Sequence, residues 1–312
     1  MKRLVYILFV VVLAGCTFDD VRDFNPDLSL MFQPEMLMHV ADDDVESFPT
    51  EQSFGVKAWA LPVGDSWERN CQNAEEFIEL SEVKSKEVLI TDTSLQLTVK
   101  DTLWTFDEPI MWPTIFENLT FMAFSPYMEG CDCSVENGVT FSMNTKEQQI
   151  DMLYTYPNAD KHKINNGWVV PLHFEHALCR VDFRVKHRVA DNEKITLKRV
   201  TLGALHCKGE FNSLPEPTWS LDNELSKVDF FVGNYQVAKL PQEVGEYKFV
   251  IPQKLNTTVT VIYDYTTASG TTITQTLETP LMQTELKAGN SYTYTLSIGI
   301  DDVKFLKELI ID

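Results

Sequence analysis

Positive charge is scarce in this chain. Its 312 residues carry 26 Lys and Arg against 46 Asp and Glu, a net charge of −20 that becomes −22 without Lys2 and Arg3. Such a surface repels nucleic acid and anionic lipid, which excludes DNA or RNA as a partner. A long helical period is missing, as are a Gly-rich phosphate loop and a Gly-x-Ser-x-Gly elbow. Carboxylates are plentiful, but no pair is singled out by its surroundings. No enzyme activity and no cofactor are therefore expected. The close pair Cys131 and Cys133 has no second cluster at metal-ligand spacing, so no metal site is expected. Internal repeats and low-complexity tracts are also absent. What remains is a 44% hydrophobic chain, enough for packed cores and too apolar for disorder.

The N-terminus carries an address. Lys2 and Arg3 precede Leu4 to Leu13, ten apolar residues without a break, and then Ala14, Gly15 and Cys16. Ten residues can enter a translocon but are too few to span a bilayer. The segment resembles a bacterial lipoprotein signal peptide; an ordinary signal peptide is the plainer reading. The resemblance implies cleavage between Gly15 and Cys16 and lipid on the Cys16 sulfur. Asp19 and Asp20 follow closely and resemble the export signal of Bacteroides-type surface lipoproteins. As a bland alternative they belong to a solvated tether. The expected location is the outer face of the outer membrane, with attachment through the lipid on Cys16.

Beyond residue 16 the dominant signal is period two, which predicts strands. Val170, Leu172 and Phe174 share one face with Trp168. Cys179, Val181, Phe183 and Val185 alternate with Arg180, Asp182, Arg184 and Lys186. Val259, Val261, Tyr263 and Tyr265 repeat the pattern, as do Tyr292, Tyr294, Leu296 and Ile298. Turn chemistry separates these runs at Asn165-Asn166-Gly167, Ala268-Ser269-Gly270 and Ala288-Gly289-Asn290. Short helices are expected at Asn73–Leu80 and Lys304–Leu309. The pattern predicts an all-β protein of antiparallel β-sandwiches. The expected division is 1–15 signal peptide, 16–27 acidic tether, 28–165 N-terminal sandwich and 166–312 C-terminal sandwich.

Several residues have two readings. With Cys16 acylated, five cysteines remain, an odd number. A bridge from Cys131 or Cys133 to Cys71 stays open, while Cys179 and Cys207 read as core residues. His173, His176 and Cys179 have a ligand-like spacing, but on a strand the two histidines face opposite ways. Asp42–Asp44 lacks the Gly and the terminal Glu of a calcium loop. The six tryptophans, at 59, 67, 104, 112, 168 and 219, are sugar platforms if exposed and core packing if not.

Four segments together resemble the Bacteroides-type fimbrillin family. They are Trp104 to Pro113 followed by Leu119 to Pro126; Gln149-Ile-Asp151-Met-Leu153-Tyr154; Val170 to Val181; and Leu286 to Tyr294. The resemblance implies two transthyretin-like, Greek-key β-sandwich domains in tandem, in a lipoprotein precursor of surface pili. It implies other fimbrillin subunits as partners and a host or bacterial surface receptor. In polymerising members an Arg-specific protease removes the first strand, and a C-terminal strand of another subunit fills the groove. Here the first strand is expected at about residues 28–40. The following loop, Ala41–Gln52, holds neither Arg nor Lys. Only twelve residues follow Ile300, so the donor is either Tyr292–Ile300 or Phe305–Ile311. These departures point to a minor or tip subunit. The alternative is a glycan-binding surface lipoprotein of a polysaccharide-uptake system, built on exposed tryptophans.

Overall fold

The computed structural model describes residues 29–36, 48–49, 51–92, 97–111, 113, 116, 119–157, 168–281, 285–306 and 310–311. It is nearly all strand. In the first half these are β1 (Leu30–Met36), β2 (Phe54–Ala60), β3 (Glu75–Asp92), β4 (Leu97–Thr105), β5 (Leu119–Ser125), β6 (Asp132–Ser134), β7 (Gly138–Met143), β8 (Leu153–Thr155) and β9 (Trp168–His176). The second half holds β10 (Cys179–His187), β11 (Lys194–His206), β12 (Gly209–Asn212), β13 (Thr218–Leu221), β14 (Leu225–Gln236), β15 (Gln242–Glu243), β16 (Lys248–Val250) and β17 (Gln253–Lys254). It ends with β18 (Thr258–Thr266), β19 (Thr272–Pro280), β20 (Glu285–Leu286), β21 (Ser291–Ile298), β22 (Val303–Phe305) and β23 (Ile310–Ile311).

Pairing divides these strands into two bodies. In the first, the order β1-β4-β3-β2-β5-β8-β9 closes on itself as a barrel. Leu30, Phe32, Phe54, Phe121, Val170, Leu172 and Phe174 fill its interior. In the second, a sheet β15-β10-β21-β22 faces a sheet β14-β11-β18-β19. Between them lie Val181, Phe183, Val200, Val261, Tyr263, Tyr292 and Leu296. Among the described strands only β1 with β9 and β10 with β21 run parallel. The expected division at residue 165 falls before β9, yet β9 pairs with β1 and β8 in the barrel. We therefore place the change of body at Ala177–Leu178, in the turn from β9 to β10.

The expected helix at Asn73–Leu80 is corrected. One helical turn lies earlier, at Trp67–Asn70, anchored by buried Trp67. Glu75 onward is β3, whose first half pairs with β2 and whose second half pairs with β4. A helix that short is marginal alone. The open backbone of β2 and the burial of Ile78 and Val83 decide for strand. The helix expected at Lys304–Leu309 also yields: Val303–Phe305 is β22, paired with β21. Residues 307–309 and the Asn165-Asn166-Gly167 turn lie outside the described residues. The turn at Ala268-Ser269-Gly270 joins β18 to β19, with Gly270 at φ +88°.

A third sheet, β13-β12-β7-β6, joins the two bodies. Phe211 of β12 pairs with Phe141 of β7 and stacks on it at 4.6 Å. Gly138 sits at φ +68°, where an added Cβ would lie 2.1 Å from Ser213 Oγ. Ser213 Oγ accepts from Val139 N–H at 2.8 Å, so it cannot move freely. Gly138→Ala is expected to cost at least about 2 kcal/mol, since backbone strain and clash add. Urea denaturation of the full chain measures it.

Candidate functional site

The residues of β1 alternate by burial. Leu30, Phe32 and Pro34 point inward and are buried, while Gln33 and Glu35 are exposed. Phe32 has 0% exposure. Its ring meets Phe54, Phe106 and Phe121 edge-on at 5.8, 5.5 and 5.7 Å. Burying Leu30 and Phe32 contributes roughly 1.5–3 kcal/mol each. The side chains, more than the backbone, hold this strand.

The backbone seating of β1 is one-sided. It runs beside β9 for seven positions, from Leu30 opposite Trp168 to Met36 opposite Phe174. Among the described residues it has a single paired position against β4, Phe32 opposite Trp104. Leu30 N–H adds a bond to Ile110 O at 2.8 Å, and Ser29 bridges Met111. Pro34 and Pro171 lack N–H groups, which limits the ladder further. The Trp104 Nε1–H beside this seam is buried with no hydrogen-bond partner among the described residues. On the outer face Glu35 approaches His173 at 3.3 Å, with both half-exposed; such a pair adds little.

Phe48, in the segment after β1, returns to the same core. It has 4% exposure and packs on Phe54, Trp104 and Phe174 at 6.0, 5.8 and 4.9 Å. Sequence reading passed over it. The signal was there: one aromatic residue in a loop that is mostly acidic and polar.

At the other end, β21 is central. It lies beside β10 over eight parallel positions, and β22 and β23 pair along its far edge. Every residue from Tyr292 to Ile298 is buried. Of the two candidate donors, Tyr292–Ile300 is therefore built into the fold. β22 and β23 form the outer, short-paired layer.

Two of the segments behind the family resemblance, 149–154 and 170–181, lie at the joint between the bodies. Gln149 Oε1 accepts from Phe249 N–H at 2.8 Å, and its Nε2 donates to Phe249 O at 3.4 Å. Asp151 meets His176 at 2.9 Å. Ala177 N–H donates to Met152 O, and Trp219 Nε1 donates to Ala177 O at 2.9 Å. Gln149→Ala is expected to cost about 1–3 kcal/mol, because it strips partners from two backbone groups. Thermal unfolding of the full chain reads this.

The remaining expected residues fall as follows. Gly15, Cys16, Asp19, Asp20 and Asp42–Asp44 lie outside the described residues, as does most of the Ala41–Gln52 loop. Trp59, Trp67 and Trp104 are buried, and Trp219 packs against the joint, so none of these four is an open sugar platform. Trp112 and the side chain of Trp168 are not described. Cys71, Cys131, Cys133, Cys179 and Cys207 are free thiols. Burial pushes the Cys131 thiol up to about 11 and raises Cys133 and Cys179 as well, which keeps them in the inert, protonated form at neutral pH. His176 is engaged by Asp151 and His173 faces Glu35. Among the described residues no three His, Cys, Asp or Glu side chains converge as metal ligands.

Residues 66–309 match the model of the family described as fimbrillin-like. A fimbrial protein from Bacteroides vulgatus has a similar fold, with a TM-score of 0.61 at 17% identity, over 90% of this chain and 98% of that one. A protein from Bacteroides uniformis assigned to cell adhesion superposes with a TM-score of 0.56 at 15% identity, over 91% of this chain and 96% of that one. No curated protein matches the chain.

Proposed function

This chain belongs to the fimbrillin-like family, and from that premise we propose that it is a minor or tip subunit of surface pili, exported as a lipoprotein and assembled by strand complementation. Membership alone gives the coarser statement, a surface pilus subunit with a structural role in adhesion. The finer reading is carried by one observation, the one-sided seating of β1. A strand laddered mainly to β9 and anchored by side chains can be replaced by another of similar pattern.

The partners in that exchange are other fimbrillin subunits. The donor segment is Phe305–Ile311, since β21 cannot leave without opening the core. The Ala41–Gln52 loop has no Arg or Lys, so an Arg-specific protease does not free β1. Until a different protease cuts that loop the slot stays filled and the subunit donates without accepting, which suits a terminal or minor position. The lipid on Cys16 stays attached to the same strand and tethers the precursor to the outer membrane. Asp19 and Asp20 direct it to the outer face.

Mass spectrometry of the surface-matured protein tests this. The expected result is that residues 29–36 are retained after Arg-specific proteolysis. A mature N-terminus between Ala41 and Phe54 would overturn the donor-only role. Mixing the chain with itself is expected to give no detergent-resistant ladder, and mixing it with other pilus subunits is expected to give one.

A further inference from the structure

We propose that β19 is a lateral contact through which two copies of this chain pair edge to edge, away from the β1 slot. The sheet order β14-β11-β18-β19 leaves two edges. The β14 edge is irregular: its pairing with β11 shifts register three times, and bulges of this kind discourage further pairing. The β19 edge has no such protection. It pairs with β18 over nine unbroken positions, from Thr272 opposite Thr266 to Pro280 opposite Thr258. Among the described residues β18 is its only strand partner; β22 comes near without pairing.

The composition of β19 favours a second copy as the occupant. The chain as a whole is at −20, yet Glu278 is the only charge in the nine residues. Thr272, Thr274, Thr276, Glu278 and Pro280 are the exposed outer row. An antiparallel pair with its two-fold axis at Thr276 places Thr276 opposite Thr276 and Glu278 opposite Thr274. The two Glu278 side chains are then four residue steps apart, roughly 13 Å. That exceeds the screening length of about 8 Å in physiological salt. Threonine pairs across strands are favourable. On the inner side the contact would cover Ile273, now 47% exposed. A self-repelling molecule thus presents a long strand with a single charge, suited to binding its own kind.

Cysteine cross-linking of the full chain in mild detergent tests the register. Thr276→Cys is expected to give disulfide-linked dimers. Thr274→Cys and Glu278→Cys are expected to do so only when mixed, because opposed Cα atoms lie within disulfide range. In sedimentation, Thr276→Lys is expected to weaken dimerisation at least about tenfold through directly opposed like charges. Mixing it with Thr276→Glu restores pairing. Thr276 is exposed, so these variants keep the thermal midpoint of the parent. Dimers that β19 substitutions leave unchanged would overturn the proposal, as would a monomer at the highest soluble concentration. Protection of β19 amides only on addition of other pilus subunits would overturn self-pairing in favour of that partner.

Discussion

Phe32→Ala is expected to destabilise the barrel by about 3–5 kcal/mol, the range for removing a buried aromatic ring. Three edge-on ring contacts disappear together, from Phe54, Phe106 and Phe121. The hole opens at the one place where β1 has a partner on β4, opposite Trp104. The site cannot collapse easily, because its walls are strands of a closed barrel. The loss should therefore sit at the upper end for β1, which has little ladder in reserve on that side. Urea denaturation gives the stability change, and hydrogen exchange locates it. Amides of β1 and β9 are expected to lose protection before those of β10 and β21. A cost below about 1 kcal/mol would mean that the ring is not a main anchor.

Truncation after Asp302 is expected to abolish ladder formation with other pilus subunits while leaving the second body folded. The removed segment contains β22 and β23, which cover the outer edge of β21 over three and two paired positions. What stays is the eight-position parallel pairing of β21 with β10 and the core on Phe183, Tyr292 and Leu296. The Tyr294–Phe305 ring contact is lost, so a drop of about 1–3 kcal/mol in stability is expected from truncating that packing. Assembly is the larger effect, because the proposed donor strand itself is gone. Detergent-resistant bands on gels read assembly, and near-ultraviolet circular dichroism reads packing. Ladders as abundant as those of the full chain would place the donor elsewhere.

Period two made the strands legible, because each barrel or sandwich strand has one face toward a core. The run Cys179 to Val185 alternates in the structure as it does in the sequence. The family pattern was legible too, in four segments taken together. Gln149 bonds Phe249 of the second body and Asp151 meets His176 inside the first, long-range relations that spacing does not display. The Asn73–Leu80 stretch misled for the opposite reason. Its local helix signals were real but weak, and the edge of β2 outweighed them. Phe48 was hidden because an isolated aromatic in an acidic loop carries no period. The one-sided seating of β1 is likewise invisible in sequence, since alternation tells which side chains are buried and not which neighbour supplies the ladder.

A strand-exchange measurement tests the central claim that β1 is a replaceable closing strand held in place by its chain connection. A specific protease site is inserted within residues 41–47, and a fluorescent peptide of residues 28–37 is added in excess. The uncut chain is expected to take up no label. After cutting, the peptide is expected to replace β1, with release of the fragment that carries Cys16 and no loss of the folded barrel. A cut chain that keeps its own β1 and excludes the peptide, under conditions where the barrel remains folded, would contradict the account.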